Sequence, residues 1–145
     1  MRMLVIDDER EFVSILQQWF SKRGHTVHGV IDIRTLPDVL ARNQYDVISL
    51  DLNMPNSPGL TWIERIHSMS PKTPIIVMTA QADPNLAKLA LQSGADDFVC
   101  KPVSLPKLEQ IMDTTRANRR RQAQLTSSTV CRGPCLRLEL QCTNG

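Results

Sequence analysis

The sequence has no long apolar run of the kind that spans a membrane or directs export. After Arg2 the apolar stretch ends at Ile6, where acidic residues begin, whereas a membrane span needs about 20 apolar residues. Glycine is scarce, and no glycine-rich phosphate loop is present, so nucleotide binding is not expected. The net charge of +2 is too small to indicate nucleic acid as a partner. These absences favour a soluble protein of the cytoplasm with no membrane partner.

Cysteine is uncommon as well, and the four cysteines do not form a standard zinc motif. Cys131, Cys135 and Cys142 are close together, but their C-x3-C-x6-C spacing matches no such motif and no histidine is nearby. Cys100 lies in an apolar run, where we expect a small buried side chain. We therefore do not predict a zinc site.

The sequence does contain a regular alternation of apolar runs with helical patterns. Hydrophobic residues make up 41% of the chain and charged residues 22%, a balance typical of a globular domain. The apolar runs predict strands at Met3–Asp7, Thr26–Val30, Asp46–Asp51, Ile75–Thr79 and Asp97–Lys101.

A helix is predicted after each of these strands. The first covers Glu9 to Arg23, the fourth begins with Asp83 as N-cap followed by Pro84, and Ser104 caps the last. The apolar positions at helical spacing are Phe12, Ile15, Leu16, Trp19, Phe20, Leu36, Val39, Leu40, Leu60, Ile63, Ile66, Leu86, Leu89, Ala90, Leu105, Leu108, Ile111 and Met112. This alternation predicts an α/β fold in which helices cover both faces of a doubly wound parallel sheet.

Polar side chains fall at the carboxyl ends of the predicted strands, where such sheets carry their functional sites. Asp7 and Asp8 end the first strand, Asp51 the third, Thr79 the fourth and Lys101 the fifth. Carboxylates crowded together are costly unless a cation lies among them. If the first and third strands are neighbours, the three aspartates form an all-oxygen site that suits Mg²⁺. With a lysine and a hydroxyl beside it, such a site can receive a phosphoryl group on a carboxylate.

Each of these residues also has an ordinary structural explanation. An aspartate after a strand is often a helix N-cap or a turn residue, a lone lysine is a surface charge, and Phe98 alone is a core residue. Their joint placement at successive strand ends favours the functional interpretation. The alternative is a Mg²⁺-dependent phosphatase or other hydrolase with an aspartate nucleophile. Such an enzyme needs a second acid beside the nucleophile, and that position holds Asn53, which cannot transfer protons.

The sequence resembles the receiver domain of a two-component response regulator. The matching stretches are "VIDDE" at 5–9, "YDVISLDLNMP" at 45–55 with Gly59, "PIIVMTA" at 74–80 and "GADDFVCKP" at 94–102, and the match runs from residue 1 to about 122. The resemblance implies a flavodoxin-like (βα)5 fold with strand order 2-1-3-4-5. It also implies a regulatory phosphoacceptor, not a turnover enzyme, that assists its own phosphorylation and dephosphorylation.

The resemblance assigns a role to each site residue. Asp51 is the phosphoacceptor, and Lys101 pairs with it and then with the phosphoryl group. Thr79 and Phe98 are the switch residues, and the Lys101–Pro102 peptide bond is cis. The metal, Mg²⁺ or Mn²⁺, is held by Asp7, mainly through water, by Asp8 and Asp51, and by the backbone carbonyl of Asn53.

The same resemblance implies the partners. A sensor histidine kinase or a phosphotransfer protein donates the phosphoryl group, and the surface of the fourth helix, fifth strand and fifth helix controls the output. A homodimer through this surface is an option, although Ile111 and Thr115 stand where winged-helix regulators carry arginines for that contact. Nucleic acid would be bound only through an effector domain.

The last segment of the chain differs in character from the rest. We expect residues 1–122 to form the receiver domain and residues 123–145 to be a linker. The linker is followed either by the start of a truncated effector domain or by a disordered tail. Residues 136–142 alternate apolar and polar side chains as a strand does, and a lone strand cannot be stable by itself.

Overall fold

The structure is a computed structural model that describes residues 1–54, 59–81 and 83–126. Strands and helices alternate along the chain, with a short 3₁₀ turn at Ile33–Thr35 before the second helix. The elements are β1 (Arg2–Ile6), α1 (Arg10–Ser21), β2 (Thr26–Val30), α2 (Leu36–Arg42), β3 (Val47–Asp51), α3 (Gly59–Met69), β4 (Ile75–Thr79), α4 (Pro84–Gln92), β5 (Asp97–Cys100) and α5 (Leu105–Thr126).

The five strands form one parallel sheet in the order β2-β1-β3-β4-β5, so the predicted fold and strand order are confirmed. β1 lies between β2 and β3, and Ile6 of β1 is paired with Leu50 of β3. The residues that follow this pair are Asp7 and Asp51, which therefore lie side by side at the carboxyl edge. On the other side of β3, Asp51 is in register with Met78 of β4.

The side chains of each strand alternate between two buried clusters, one on each face of the sheet. One cluster includes Leu4, Ile48 and Leu50 with residues of α2, α3 and α4, and the other includes Val5 and Val47 with residues of α1 and α5. This arrangement explains why the strands read as unbroken apolar runs, since both faces are covered by helices. The relative positions of the residues at the carboxyl edge thus depend on strands that are held by helices on both faces of the sheet.

The predicted helix caps are present in the structure. Asp83 caps α4, because its Oδ1 accepts a hydrogen bond of 2.9 Å from the backbone N–H of Asn85, and Pro84 is the first helical residue. The Ser104 hydroxyl accepts a longer bond of 3.4 Å from the N–H of Lys107 at the start of α5. These short-range contacts depend on neighbours in the sequence, which is why sequence patterns predict them.

Two of the apolar positions at helical spacing are exposed. Ile15 of α1 is 51% exposed and Leu89 of α4 is 47% exposed. In each helix the adjacent residue, Leu16 or Ala90, takes the inward position, and a helix that packs on a sheet buries only one stripe. Cys100, by contrast, is buried as predicted.

The last helix extends past the expected domain boundary. α5 continues to Thr126, whereas the sequence placed the boundary at residue 122. The predicted strand at 136–142, the three late cysteines and residues 55–58 lie outside the described residues. The division into a receiver and a linker therefore stays a prediction. Among the residues that the structure describes, no helix is both long and apolar enough to cross a membrane.

Candidate functional site

Three carboxylates meet at the carboxyl edge of the sheet, as the sequence predicted. One oxygen each of Asp7, Asp8 and Asp51 lies within 4.8 Å of the other two. Asp7 and Asp51 are buried, and Asp8 is half-buried. The backbone N–H of Glu9 donates a 2.9 Å hydrogen bond to Asp7 Oδ1, which holds that side chain toward the cluster. Three negative charges in this space need positive charge nearby.

The Lys101 ammonium supplies part of that charge. Its Nζ lies 2.6 Å from Asp7 Oδ2, 3.5 Å from Asp51 Oδ2 and 3.6 Å from Glu9 Oε1, and the side chain is only 13% exposed. Burial by itself would lower the pKa of Lys101, but the hydrogen bond to Asp7 and the charges of Asp7, Asp51 and Glu9 raise it above its usual value. Lys101 is therefore a firmly charged group at this edge.

The closest partner of Lys101 differs from the one that the resemblance implies. The expected partner was Asp51, whereas the ammonium lies between two carboxylates and nearer to Asp7. Asp7 and Asp51 each have one oxygen bound by a backbone N–H, from Glu9 and Asn53, and turn the other to the ammonium. The ammonium still reaches Asp51, so one lysine bridges the ends of β1 and β3.

The environment of the Asp51 carboxylate is unfavourable to its charge. Burial raises the pKa of Asp51 above its usual 3.8, and the charge of Asp7 adds to this effect. The N–H of Asn53, 2.9 Å from Asp51 Oδ1, and the ammonium of Lys101 act in the opposite direction. The side chain thus has one oxygen bound to the backbone and the other turned to the lysine.

Thr79, the last residue of β4, is buried beside this group. Its Oγ1 accepts hydrogen bonds from Asn53 Nδ2 at 2.9 Å and from the backbone N–H of Gln81 at 3.2 Å. The resemblance implies only a backbone role for Asn53, and the bond from its side chain to Thr79 was not expected. This bond joins the loop after β3 to the end of β4, two elements that a local sequence pattern does not relate.

β5 completes the site from the far side of β4. The N–H of Lys101 donates a 2.7 Å hydrogen bond to the carbonyl of Thr79, and the Lys101–Pro102 peptide bond is cis. Phe98, three residues earlier, is fully buried in the cluster that includes residues of α2, α3 and α4. The structure thus places every sequence-predicted site residue near the carboxyl edge, except Phe98, which lies within the core.

One neighbour of the site was missed by sequence reasoning. The ring of Phe12, in the first turn of α1, has its centroid 4.4 Å from Lys101 Nζ. The sequence pattern counted Phe12 only as an apolar helix position. The signal in the sequence was its place four residues after Asp8. Helix α1 begins directly after the acidic residues, so its first turn lies close to them.

The donor atoms of the cluster suit a divalent cation with a preference for oxygen. All three side chains are carboxylates, and no thiolate or imidazole of the described residues joins them. Such a set fits Mg²⁺ or Mn²⁺ better than zinc or copper. The three carboxylates are partly buried, and the single charge of Lys101 does not fully offset their mutual repulsion. A bound divalent cation would relieve that repulsion.

Comparison with known proteins agrees with this geometry. The family described as response regulator receiver domain matches residues 3–113. The regulatory protein AtoC of Escherichia coli is 34% identical over 111 residues, which cover 77% of this chain and 24% of AtoC. The chain spans 15% to 28% of the length of the first curated relatives that it matches.

Two solved structures have the same fold. A response regulator protein from Burkholderia pseudomallei, crystallised with a phosphorylated aspartic acid, a calcium ion and citrate, has a TM-score of 0.74 at 25% identity. That match covers 90% of this chain and 76% of the other. The solution structure of the beryllofluoride-activated NtrC4 receiver domain dimer has a TM-score of 0.76 at 27% identity, covering 81% and 98%. With the family match over most of its length, the chain belongs to the response regulator receiver domain family of two-component systems.

Proposed function

We propose that this receiver accepts a phosphoryl group on Asp51 from a sensor histidine kinase or a phosphotransfer protein, and that it thereby controls an output. The observation that carries the proposal is the position of the Lys101 ammonium between Asp7 and Asp51 at the carboxyl edge of the sheet. The site is preorganised for a transferring phosphoryl group, because positive charge is already in place where negative charge must be accepted.

In the proposed reaction, a carboxylate oxygen of Asp51 attacks phosphorus. An O–P bond forms while the bond from phosphorus to the donor nitrogen breaks, and the donor keeps the bonding electrons and takes up a proton. The Asn53 N–H holds the other Asp51 oxygen, so the attacking oxygen is the one that faces Lys101. Lys101 then follows the charge from the carboxylate to the phosphoryl oxygens.

The residues that would hold Mg²⁺ or Mn²⁺ are Asp7, Asp8, Asp51 and the backbone carbonyl of Asn53. When bound, the metal supplies further positive charge to the phosphoryl oxygens. Asp8 is half-buried, whereas Asp7 and Asp51 are buried, and so Asp8 can take part in metal binding while still in contact with solvent. We propose that it ligates directly and that Asp7, already bound to Lys101, acts mainly through water.

The proposed switch consists of Thr79 and Phe98 and acts on the surface of α4, β5 and α5. The Thr79 oxygen accepts two N–H groups, so its own hydroxyl hydrogen is available to a phosphoryl oxygen. Movement of Thr79 toward that group would loosen its bond with Asn53, and Phe98 is the buried residue proposed to respond to it. A homodimer through this surface would not use Ile111 or Thr115, because both are buried.

The direct test is phosphorylation by acetyl phosphate in the presence of Mg²⁺, read as intact mass. We expect one added phosphoryl group on the parent chain, none on Asp51→Asn, and none when the metal is chelated. Thr79→Ala should accept the group but lose the NMR shift changes on α4, β5 and α5. Full labelling of Asp51→Asn would refute Asp51 as the acceptor.

The hydrolase alternative predicts a different time course. A hydrolase would release phosphate over many turnovers, whereas a receiver would gain one phosphoryl group and keep it for a measurable time. The side chain of Asn53 donates to Thr79 and cannot act as a general acid or base, which favours the receiver. The histidine kinase or phosphotransfer protein as donor and the cytoplasmic location stay predictions.

A further inference from the structure

The ring of Phe12 is a neighbour of the Lys101 ammonium that the proposed reaction does not yet use. The distance of 4.4 Å from Nζ to the ring centroid lies within the range at which an ammonium is attracted to an aromatic face. Phe12 is half-buried and packs against the cluster between the sheet and helices α1 and α5. The ring therefore borders both the core and the charged site.

Asp7, Asp51, Glu9 and the ring of Phe12 surround the ammonium of Lys101. Asp7 and Asp51 accept two hydrogen bonds, at 2.6 and 3.5 Å, and the ring of Phe12 lies beside the same nitrogen. Glu9, at 3.6 Å, is a longer ion pair from a side chain that is mostly exposed. A lysine ammonium on a flexible four-carbon stem is poorly fixed by charge alone. The shorter distance to Asp7 than to Asp51 indicates that Asp7 attracts it more strongly.

An aromatic face suits this place better than another acid would. It attracts the ammonium without adding negative charge to a cluster that already contains three carboxylates. It also excludes water from one side of the nitrogen, which strengthens the remaining contacts with Asp7 and Asp51. Phe12 is held in turn by α1, whose Val13, Leu16 and Phe20 are buried against the sheet.

We propose that Phe12 is a positioning residue for phosphoryl transfer. Its ring keeps the Lys101 ammonium between Asp7 and Asp51, and so sets the rate at which Asp51 accepts a phosphoryl group. This inference rests on the proposed function of Asp51. The competing explanation is that Phe12 contributes only packing. Substitutions that remove the aromatic ring but keep an apolar side chain, compared with substitutions that keep the ring, distinguish the two explanations.

The kinetic test uses the full chain with acetyl phosphate and Mg²⁺, and measures initial labelling rates over a range of donor concentrations. Phe12→Leu keeps an apolar side chain and removes the aromatic face, so we expect labelling to slow about three- to tenfold. Phe12→Tyr retains the face and should restore the rate to within about twofold of the parent. The matched control is Trp19→Leu, which removes a ring from the same helix that lies over Arg23 instead of Lys101 and should not slow labelling.

A spectroscopic test reports the contact in the metal-free protein. Protons on the ε-carbon of Lys101 that lie over a ring face should resonate upfield in the parent and in Phe12→Tyr, and move back in Phe12→Leu. The Lys101→Arg variant identifies the signal. This measurement on the parent decides the contact even if Phe12→Leu melts below the assay temperature.

The outcomes separate the two proposals. If the parent chain is not labelled on Asp51, the proposed function fails, whatever the NMR result. If the parent is labelled but Phe12→Leu is labelled as fast, or Phe12→Tyr is as slow as Phe12→Leu, the positioning role is wrong. An ε-carbon signal without the upfield shift in the parent would also overturn it.

Discussion

Replacement of Asp51 by asparagine is expected to stabilise the folded chain in the absence of divalent metal. Asp51 is buried, and one of its oxygens lies within 4.8 Å of oxygens of Asp7 and of Asp8. Asparagine keeps the shape and the oxygen that accepts the Asn53 N–H, but it carries no charge. The substitution that removes the proposed nucleophile should therefore raise the free energy of unfolding.

The magnitude follows from the distances. At an effective dielectric constant of about 20, each repulsion taken at the 4.8 Å limit amounts to about 3.5 kcal/mol, and the attraction of Lys101 across 3.5 Å to about 5 kcal/mol. The two repulsions exceed the attraction by about 2 kcal/mol, and solvent near half-buried Asp8 reduces the difference further. We expect a gain of about 1–2 kcal/mol, which corresponds to a rise of about 3–6 °C in melting temperature.

The pH dependence of this gain has a definite sign. The pKa of Asp51 is raised above 3.8 on folding, chiefly by burial. A carboxyl with a raised pKa destabilises the folded state once the pH exceeds that pKa, and the penalty disappears below its unfolded pKa, where it is protonated in both states. The advantage of Asp51→Asn should be largest near neutral pH and should shrink as the pH falls toward 4.

The assay is urea unfolding with a metal chelator, at neutral pH and at a series of lower pH values. The control is Asp7→Asn, which relieves similar repulsion but loses the 2.6 Å ion pair with Lys101 and so is expected to give no gain. A loss of stability in Asp51→Asn, or an equal gain in both variants, would refute the reasoning that Lys101 interacts more strongly with Asp7 than with Asp51.

Three further predictions concern the scaffold. Gly29→Ala should lower the free energy of unfolding by about 1–3 kcal/mol in urea melts, because a β-carbon there would meet a valine side chain of α1; an unchanged midpoint would contradict this. Arg119→Gln should cost about 1–3 kcal/mol, since Arg119 binds both oxygens of half-buried Asp96, whereas Arg120→Gln, at an exposed site, should cost little. Removal of residues 124–145 should leave melting temperature and phosphate labelling nearly unchanged, and a large loss of stability would show that this segment packs on the domain.

The order of the elements and the location of the acidic cluster were predictable from the sequence alone. β2 and β4 begin and end where the apolar runs predicted, and β1, β3 and β5 differ by one residue at their ends. Asp7, Asp8 and Asp51 could be assigned to one edge of the sheet because parallel strands direct their carboxyl ends to the same edge, and the resemblance implied that β1 and β3 are neighbours. These features depend on patterns within one strand or helix and on a general rule for parallel sheets.

Only the tertiary structure determined which partners the side chains choose. The preference of Lys101 for Asp7, the bond from Asn53 to Thr79 and the contact of Phe12 with Lys101 join residues from different elements. Each depends on the separation of side chains from different elements, which is set when the helices pack on the twisted sheet. A sequence pattern records which face a residue occupies, but not which of several nearby carboxylates an ammonium will approach.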